Sequence, residues 1–468
     1  MTTPPPHRVR GTSEAQPRDM EMSDHLPNWR WEALRTTLWV VPTLLVVAAV
    51  LLFVATFEID VAVYHHHVNL PFWLRTGSAD AGRQVLIAIA AAVITVVGVV
   101  FSITILALTL ASQQFGPRMM RLFIRDLGSQ LTLGVFVATF VYSVLALGSI
   151  TSDANGDFVP HLSISVAEAL LLVDLAVLIY FIHHIAKLIQ LPQVIAGIAQ
   201  DLEKAVDAEF PLHVGDEPVP TAAGTGPALD DLLVQIDERG GAVPANASGY
   251  LQYVGYAQLV DIAATVDAVI RLDYRPGHFI VAGRPLARVW PRGAASQVAL
   301  ALDKGHVVGP HRTLIQDPVF AIDQLVEIAI RALSPAVNDT FTALTCIDWL
   351  SAGLCQISGR VLVEGVYRDR AGRIRLISSD PSYARMVNRS YDKVRQSSRG
   401  MPAVIIRLLH SLTTVVEVTT TSHQREVLAR QADMILAEAL DSVVDPRDLN
   451  DIQQRYDQFH ATSAIVGG

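Results

Sequence analysis

The stretch VLIAIAAAVITVVGVVFSITILALTLA, Val85–Ala111, contains no charged residue and exceeds the roughly 20 apolar residues that cross a bilayer. Three further runs, Leu38–Phe57, Leu131–Ile150 and Ile164–Leu191, are also long and predominantly apolar, and only the last of them contains charged residues. Only 17% of the residues in the chain are charged, whereas a soluble domain has about a quarter, and the shortfall is concentrated before Leu191. We therefore predict an α-helical integral membrane domain with four transmembrane helices.

The placement of arginine predicts how these helices are oriented. The segment 151–163, between the third and fourth runs, contains no Lys or Arg, whereas arginines cluster before the first run and after the second. Because basic residues are retained on the cytoplasmic side, we expect a multi-pass protein of a bacterial plasma (inner) membrane with both termini cytoplasmic. The arginines concerned are Arg8, Arg10, Arg18, Arg30, Arg35, Arg118, Arg121 and Arg125.

Small and hydroxylated residues recur every three or four positions along the second run, which places them on one helix face. One interpretation is a close-packed seam, because small residues let membrane helices approach each other. The other is the lining of a water-filled path for an ion or small solute. In a homo-oligomer one stripe serves both purposes. The stripe consists of Thr95, Gly98, Ser102, Thr109 and Ser112.

Charged side chains at the membrane give two further hypotheses. Arg118, Arg121 and Arg125 share one face of the segment after the second run, which predicts contact with anionic lipid headgroups. The alternative is that they only set the topology. Asp174 lies within the fourth run, where a carboxylate is costly unless it is protonated or paired. It is either a functional ionisable group or a neutral carboxyl hydrogen-bonded to a neighbouring helix.

The chain after Leu191 is more polar and mixes strand and helix patterns. The runs GYLQYV, VIRLDY and PLARVW predict strands, and four helical patterns follow the hairpin around DRAG. We predict a mixed α+β cytosolic domain that ends in a helical bundle. The predicted order is a disordered tail 1–34, the membrane domain 35–191, a helical extension with a Pro/Gly/Ala-rich linker 192–248, the cytosolic domain 249–460 and a tail 461–468.

The stretch RALSPAVNDTFTA, Arg331–Ala343, is the most polar junction between two helical patterns. Proline disfavours helix in the residue before it, an Asp caps a following helix, and Asn tolerates left-handed backbone, so a structural corner is predicted. The alternative is an anion or nucleotide fragment bound by the second helix's N-terminus and by the arginine. The residues of this corner are Arg331, Ser334, Pro335, Asn338, Asp339 and Thr340.

Four stretches carry a resemblance to a known family: FSITILALTLASQQFGPRMMRLFIRD, GYLQYV, PGHFIVAGRPLARV and IAIRALSPAVNDTFTA. Together they resemble the bacterial predicted membrane protein family known as domain of unknown function twenty-two fifty-four. The similarity runs from about Arg35 to the last helix. Members of this family commonly have Pro where this chain has Thr340, and Pro at a first helical position serves the same corner. The resemblance implies an architecture and no activity.

No phosphate-binding loop, nucleophile elbow, metal-ligand spacing or paired-carboxylate signature is present, so we expect no enzyme, no cofactor and no metal. A net charge of −9 without a basic block argues against nucleic acid as a partner. The leading hypothesis is a homo-oligomeric channel-like or transport protein with a cytosolic assembly or sensing domain, whose partners are the lipid bilayer, further copies of itself and an ion or small solute. The alternative is a membrane-anchored sensor or scaffold whose cytosolic domain binds a partner or small ligand.

Overall fold

The computed structural model describes residues 39–66, 78–115, 126–153, 156–188, 190–210, 227–360, 365–379 and 382–467. Within these ranges, four helices are long and apolar enough to cross a membrane, as the hydropathy pattern predicts. Each contains most of one predicted apolar run and extends beyond it. The helices are α1 (Val40–His66), α2 (Ala79–Phe115), α3 (Leu127–Gly148) and α4 (His161–Leu188).

Helix α3 is the central helix of this group, since it packs against α1, α2 and α4. Large side chains from these helices, among them Leu86, Phe136, Tyr142 and Phe181, form one shared buried core. A short antiparallel pair of strands, β1 (Thr151–Asp153) and β2 (Gly156–Phe158), lies between α3 and α4 in the chain.

The first span is longer than its apolar run. Helix α1 continues past Phe57 through Glu58 and Asp60, although hydropathy alone ends the run at Phe57. The reason is that Asp60 is buried, with 4% of its surface exposed, and is hydrogen-bonded to the start of α4. A contact between residues about 100 positions apart therefore extends the helix.

After α4 the chain forms a mixed helix and sheet region, as predicted. A five-stranded sheet has the order β3-β7-β5-β10-β9, in which β10 is parallel to β5 and the other neighbours are antiparallel. A three-stranded antiparallel sheet has the order β6-β4-β8. The strands are β3 (Gly241–Pro244), β4 (Gly249–Val254), β5 (Val269–Leu272), β6 (Phe279–Ile280), β7 (Pro285–Trp290), β8 (His306–Gly309), β9 (Val366–Arg368) and β10 (Ile374–Ile377).

Ten helices of the described chain accompany these strands. Two of them, α7 and α8, pack against each other beside the sheets. The helices are α5 (Leu191–Glu209), α6 (Leu229–Arg239), α7 (Tyr256–Thr265), α8 (Ala295–Gly305), α9 (Pro318–Ala332), α10 (Thr340–Ser358), α11 (Tyr383–Ser397), α12 (Pro402–Val416), α13 (Ser422–Ser442) and α14 (Pro446–Gly467).

The interpretation of residues 192–248 as only an extension and linker is wrong at its C-terminal end. Strand β3 lies in this segment and pairs with β7, from Gly241 opposite Val289 to Pro244 opposite Pro285. A four-residue strand of Gly, Ala, Val and Pro is too short for a period-two pattern, so the sequence does not distinguish it from a loop. The sheet region therefore begins before residue 249.

The C-terminal helices share their core with earlier elements. Ile198 and Leu202 of α5, Leu325 of α9 and Leu350 of α10 are buried together with residues of α11 to α14 in one cluster. A second cluster lies between the sheets and α7 and α8, and contains Leu259. A third, smaller cluster joins α6 to the five-stranded sheet through Leu232, Ile236 and Val269. Three apolar clusters therefore organise the described region after α4, and α5, which belongs to the largest one, follows α4 in the chain.

Candidate functional site

The hydroxyl stripe of α2 faces away from the rest of the chain. Thr95, Gly98, Ser102 and Thr109 are exposed, and a Cβ atom built on Gly98 would have no neighbour within 4 Å. Each hydroxyl donates to the carbonyl oxygen four residues earlier, at 2.7–2.8 Å. The side chain of Ser112 lies outside the described residues. The stripe therefore does not pack against any other described helix of the same chain. The seam interpretation now requires a contact with another molecule.

The opposite face of α2 packs inward. Leu86, Val93, Val100 and Ala107 recur at intervals of seven residues, and each is at most 3% exposed. A seven-residue interval is close to two helical turns, so these side chains lie along one line and meet α3. The apolar line fixes how α2 packs, which is why the hydroxyl stripe points outward.

Asp174 lies inside the four-helix group, with 2% of its surface exposed. Thr139 of α3 donates its hydroxyl to Oδ1 at 3.1 Å, which is the bond to a neighbouring helix that the sequence hypothesis considered. The other oxygen, Oδ2, is buried and has no hydrogen-bond partner. A buried oxygen without a partner is unusual, because burying a polar group without a hydrogen bond is costly.

A second polar group in the bundle was not predicted from the sequence. The carboxylate of Asp60 accepts from the backbone N–H groups of Leu162 (2.8 Å) and Ser163 (2.9 Å) and from the Ser163 hydroxyl (2.8 Å). The Ser163 hydroxyl also lies 3.2 Å from Thr56 Oγ1, which is 2.8 Å from the Tyr142 hydroxyl. Asp60 on α1 therefore caps the N-terminus of α4 from another helix.

At the other end of the membrane helices, Asp126 and His184 form a pair. His184 Nε2 lies 2.8 and 2.9 Å from the two Asp126 oxygens, and Asp126 also accepts from the backbone N–H of Ser129 as the N-cap of α3. A side chain at Gly128 would collide with the imidazole, so the glycine permits this approach. The pair fixes the end of α4 against the start of α3.

The predicted headgroup residues Arg118, Arg121 and Arg125 lie outside the described residues. Their interpretation as lipid contacts therefore stays a prediction.

The corner after α9 is held by its own polar groups. Ser334 donates its hydroxyl to the carbonyl of Arg331 at 2.7 Å, and Asn338 adopts a left-handed backbone with φ of 49°. Asp339 caps α10, since Oδ1 accepts from the N–H of Thr342 at 3.1 Å and Oδ2 from its hydroxyl at 2.6 Å. These are the capping and turn roles that the sequence predicts. Pro335 is exposed, and Thr340 is the first residue of α10.

The cap weighs against the anion alternative at this corner. The carboxylate of Asp339 already occupies the N-terminus of α10, where it accepts from Thr342. A negative charge at that position repels an anion and uses the donor that an anion would need. The geometry therefore favours the structural role of the corner.

The corner lies at the end of the region after α4 that is nearest α2 and α4. Helices α5 and α10 run side by side in the same direction, since Gly353 lies against Leu202 and Gln356 donates to Asp207 at 2.8 Å. Following both helices backward leads to the start of α5, which directly follows α4. Leu108 of α2 also packs against the core that contains α9.

A family model described as "Predicted membrane protein (DUF2254)" matches residues 35–414, more than half of the chain. The chain belongs to this family. Two relatives are 32% identical to it over 381 residues, covering 80% of this chain and 71% of each relative. They are the "Uncharacterized protein Rv1290c" of Mycobacterium tuberculosis (strain ATCC 25618 / H37Rv) and the "Uncharacterized protein Mb1321c" of Mycobacterium bovis. No solved structure matches the chain. The resemblance seen in the sequence is thus confirmed.

In this DUF2254 protein a network of ion pairs joins the three-stranded sheet to the helices. Arg312 donates from Nε to Asp317 at 2.7 Å and from Nη1 to Asp323 at 2.5 Å, and Arg389 of α11 donates to Asp323 at 2.5 Å. Asp317 is the N-cap residue of α9, but its carboxylate makes no cap bond and binds Arg312 instead.

Burial and charge in this network shift two pKa values. Burial, and after it the positive charges of Arg275, Arg385 and Arg312, together lower the pKa of His278 to about 4. Burial raises the pKa of Asp317, which the charge and hydrogen bond of Arg312 oppose. His278 accepts a hydrogen bond from Arg275 Nε at 3.2 Å, which requires a neutral imidazole nitrogen.

Two cavities lie along the hairpin of β9 and β10. One, of about 540 Å³, is lined by residues that include Leu232, Trp290, Arg368 and Arg373. The other, of about 750 Å³, lies between α7 and the DRAG turn. A hydrogen bond from Arg375 lowers the pKa of Asp369 in this turn to about 2, together with backbone N–H donors of the turn. The cavity beside this turn has both acidic and basic lining residues, namely Asp261, Asp369, Arg368 and Arg370, and Tyr367 is its aromatic lining residue.

Metal binding finds no support among the described residues. Within them, no group of three or more His, Cys, Asp or Glu side chains is placed to hold an ion. His65 and His66 belong to the end of α1, and His67 lies outside the described ranges.

Proposed function

We propose that the protein is a homo-oligomeric channel-like or transport protein of a bacterial plasma membrane, with both termini in the cytoplasm. The region after α4 then forms a cytosolic assembly or sensing unit, and no catalytic activity is part of the proposal. The arginine distribution supports this orientation. The observation that carries the proposal is the outward direction of the α2 stripe.

The stripe has the properties of a surface between membrane helices. From Thr95 to Thr109 it extends about 21 Å at 1.5 Å per residue, most of the hydrocarbon core of about 30 Å. Each hydroxyl donates to its own helix, so its oxygen still accepts hydrogen bonds from outside. Between α2 helices of adjacent subunits, such oxygens support both close packing and a path for an ion or small polar solute.

The contact between α2 and the soluble helices supports a sensing role for the soluble region. Leu108, near the end of α2, packs against the core that contains α9 and α10. A movement of α9 is therefore transmitted to the helix that carries the stripe. The corner at Arg331–Thr340 lies at this junction, so a rigid corner there connects the soluble region to the proposed path.

An ion-flux assay in liposomes tests the proposal. The test variant combines Thr95→Leu, Ser102→Leu and Thr109→Leu, which removes the oxygens and fills the small positions. The control variant combines Val173→Leu, Ile179→Leu and Ile182→Leu, at exposed apolar positions of α4. We expect flux from the wild type and the control, and loss of most of it in the test variant. Equal flux in all three, or none from the wild type, contradicts the proposal.

A second function, a membrane-anchored sensor or scaffold, is favoured by the cavity beside Trp290. Its walls contain Trp290 and Arg368 together with Arg373 and Arg375, whose charges are paired with Asp267 and Asp369, so they suit a small ligand with a flat ring and polar groups. This function requires that such a ligand raises the melting temperature of the full chain and that Arg373→Ala reduces this rise. It also requires that the protein shows no flux in liposomes. Flux without any ligand-dependent shift rules out the second function.

A further inference from the structure

Two aspartates are buried among the membrane helices, and their surroundings differ. Asp60 is 4% exposed and Asp174 is 2% exposed, so burial alone does not distinguish them. Hydrogen bonding does distinguish them, because the number of donors around a carboxyl group decides whether its charged or its neutral form is favoured. Each carboxyl therefore has to be considered with its donors.

Asp60 has the surroundings of a charged carboxylate. Three donors contact it, namely the N–H groups of Leu162 and Ser163 and the hydroxyl of Ser163, and both carboxyl oxygens accept at least one of them. The two N–H groups belong to the first turn of α4, where the helix dipole also favours negative charge. A proton on Asp60 would have to displace one of these donors.

Asp174 has the surroundings of a neutral carboxylic acid. It lies thirteen residues into α4, about 20 Å from the helix start, where backbone N–H groups are already bonded within the helix. Among the described residues, its one donor is the Thr139 hydroxyl at 3.1 Å from Oδ1, and Oδ2 has no partner there. One neutral donor does not compensate the free energy that burying a charge costs. Burying a neutral acid whose Oδ2–H has no partner costs far less free energy.

We propose that Asp174 is a proton-binding site in the interior of the membrane helices, with Thr139 as the donor to its carbonyl oxygen. The carboxyl carries a proton on Oδ2 at neutral pH and releases it when a base reaches that oxygen. A metal cation fits less well, because hard cations take six or more oxygen ligands and the described contacts supply only Asp174 and Thr139. The ligand is therefore the proton.

Charged and titratable groups on the surrounding helices are engaged elsewhere. On α1 and α3, Asp60 and Tyr142 belong to the network with Ser163 and Thr56. On α2, Asp80 and Arg83 lie in the first turns and pair with each other. Asp126 pairs with His184 at the opposite end. The remaining such groups on these helices are Glu58, Tyr64, His65 and His66 on α1, and His161, Glu168, Tyr180, His183 and Lys187 on α4. The two nearest to Asp174 in the chain, Glu168 and Tyr180, have exposed side chains, whereas Asp174 is buried.

This site does not depend on the proposed function. The stripe lies on the outward face of α2, whereas Asp174 points into the helix group against α3. A protein without any flux would still bind the proton at Asp174. If both hold, a buried proton site gives the transport a dependence on pH.

Labelling with dicyclohexylcarbodiimide tests the site on the full chain in liposomes. This hydrophobic reagent adds to protonated carboxyl groups in apolar surroundings, and mass spectrometry locates the adduct. We expect an adduct on Asp174 at neutral pH that declines at alkaline pH, and none on Asp60. Asp174→Asn abolishes the labelling, whereas Asp60→Asn leaves it on Asp174. Equal labelling of both aspartates, or labelling of Asp60 alone, overturns the proposal.

Infrared spectroscopy provides a measurement that does not depend on access of the reagent. The carbonyl band of a protonated carboxyl group is expected in the wild type, absent in Asp174→Asn and retained in Asp60→Asn. Loss of this band in Asp174→Asn supports the proposal even where labelling fails. Two outcomes overturn the proposal. One is a wild type that shows neither the band nor an adduct, and the other is a wild type without the band in which sodium ions prevent labelling of Asp174.

Discussion

Arg312 binds the buried carboxylate of Asp317 through two nitrogen atoms, Nε and Nη2, each 2.7 Å from Oδ2. Only 3% of the Asp317 side chain is exposed, and this burial raises its pKa because it disfavours the charged carboxylate. The guanidinium of Arg312 stabilises that charged form. The same guanidinium reaches Asp323 of α9. This one arginine therefore joins the segment after β8 to the helical core.

Removing the guanidinium should destabilise the protein strongly. We expect Arg312→Met to lower the free energy of unfolding by about 3 kcal/mol, because it leaves a buried carboxylate without its partner. The matched control is Arg407→Met, whose partner Asp348 is half exposed, and which should cost less than about 1 kcal/mol. Chemical unfolding of the full chain in detergent measures both, and equal losses would show that the Arg312 network has no special role.

The close approach of Gly277 to Asp317 gives a second prediction. Gly277 has a φ of 91°, and an added Cβ would lie 2.1 Å from Asp317 Oδ2, which Arg312 prevents from moving. Gly283 has a φ of 79° and no neighbour within 4 Å, so Gly283→Ala has only the backbone cost of about 1–2 kcal/mol. We expect Gly277→Ala to cost about 2 kcal/mol more than that control. Thermal unfolding of both variants decides, and similar melting temperatures would refute the steric argument.

His278 should make stability depend on pH. Its pKa is lowered from 6.5 to about 4, so the imidazole stays neutral in the folded state while the unfolded chain takes up a proton below about 6.5. The stability that it contributes is therefore complete above 6.5 and is lost as pH falls toward 4, by up to about 3 kcal/mol.

The variant His278→Gln, which can still accept from Arg275, should remove this part of the pH slope. His410→Gln, at an exposed position of α12, is the control and should keep the wild-type slope. Unfolding midpoints measured across the acidic range give the comparison. A slope that is unchanged in His278→Gln would mean that the pKa of this imidazole is the same in the folded and the unfolded chain.

The corner should tolerate proline at its first helical position. Thr340 follows the cap residue Asp339, whose backbone, with φ of −98° and ψ of 81°, lies outside the helical region that a following proline disfavours. We expect Thr340→Pro to raise the free energy of unfolding by about 0.4–1 kcal/mol, since it restricts the unfolded chain. Thr345→Pro, one turn further into α10, should instead cost about 3 kcal/mol or more. A loss in Thr340→Pro comparable to that in Thr345→Pro would argue against this corner geometry.

The sequence predicts those features that arise from local chemistry. Ser334, Asn338 and Asp339 have the turn and capping roles that their residue types favour, because each bond spans only a few residues. The four apolar helices follow from hydropathy for the same reason. Family membership was also recognisable from short stretches such as the one around Asp339.

Contacts between distant residues were not predictable in this way. Nothing near Asp60 in the chain indicates that its partner is Ser163, 103 positions later, and the extension of α1 depends on that contact. Likewise Asp317 occupies a capping position by sequence, but tertiary contact with Arg312 determines where its carboxylate points. The direction of the α2 stripe also required the structure, since periodicity defines a face and not what that face meets.

Cysteine cross-linking at Ser102 tests most directly whether the stripe lies between subunits. The native Cys346 is buried and Cys355 is half-buried, so a cysteine introduced by Ser102→Cys is the most accessible thiol of the described chain, and Ile179→Cys on α4 is the control. The account predicts that oxidation in membranes links Ser102→Cys chains into covalent dimers and leaves Ile179→Cys chains monomeric. Monomers from both variants, or equal dimers from both, would contradict an oligomer built on the stripe of α2.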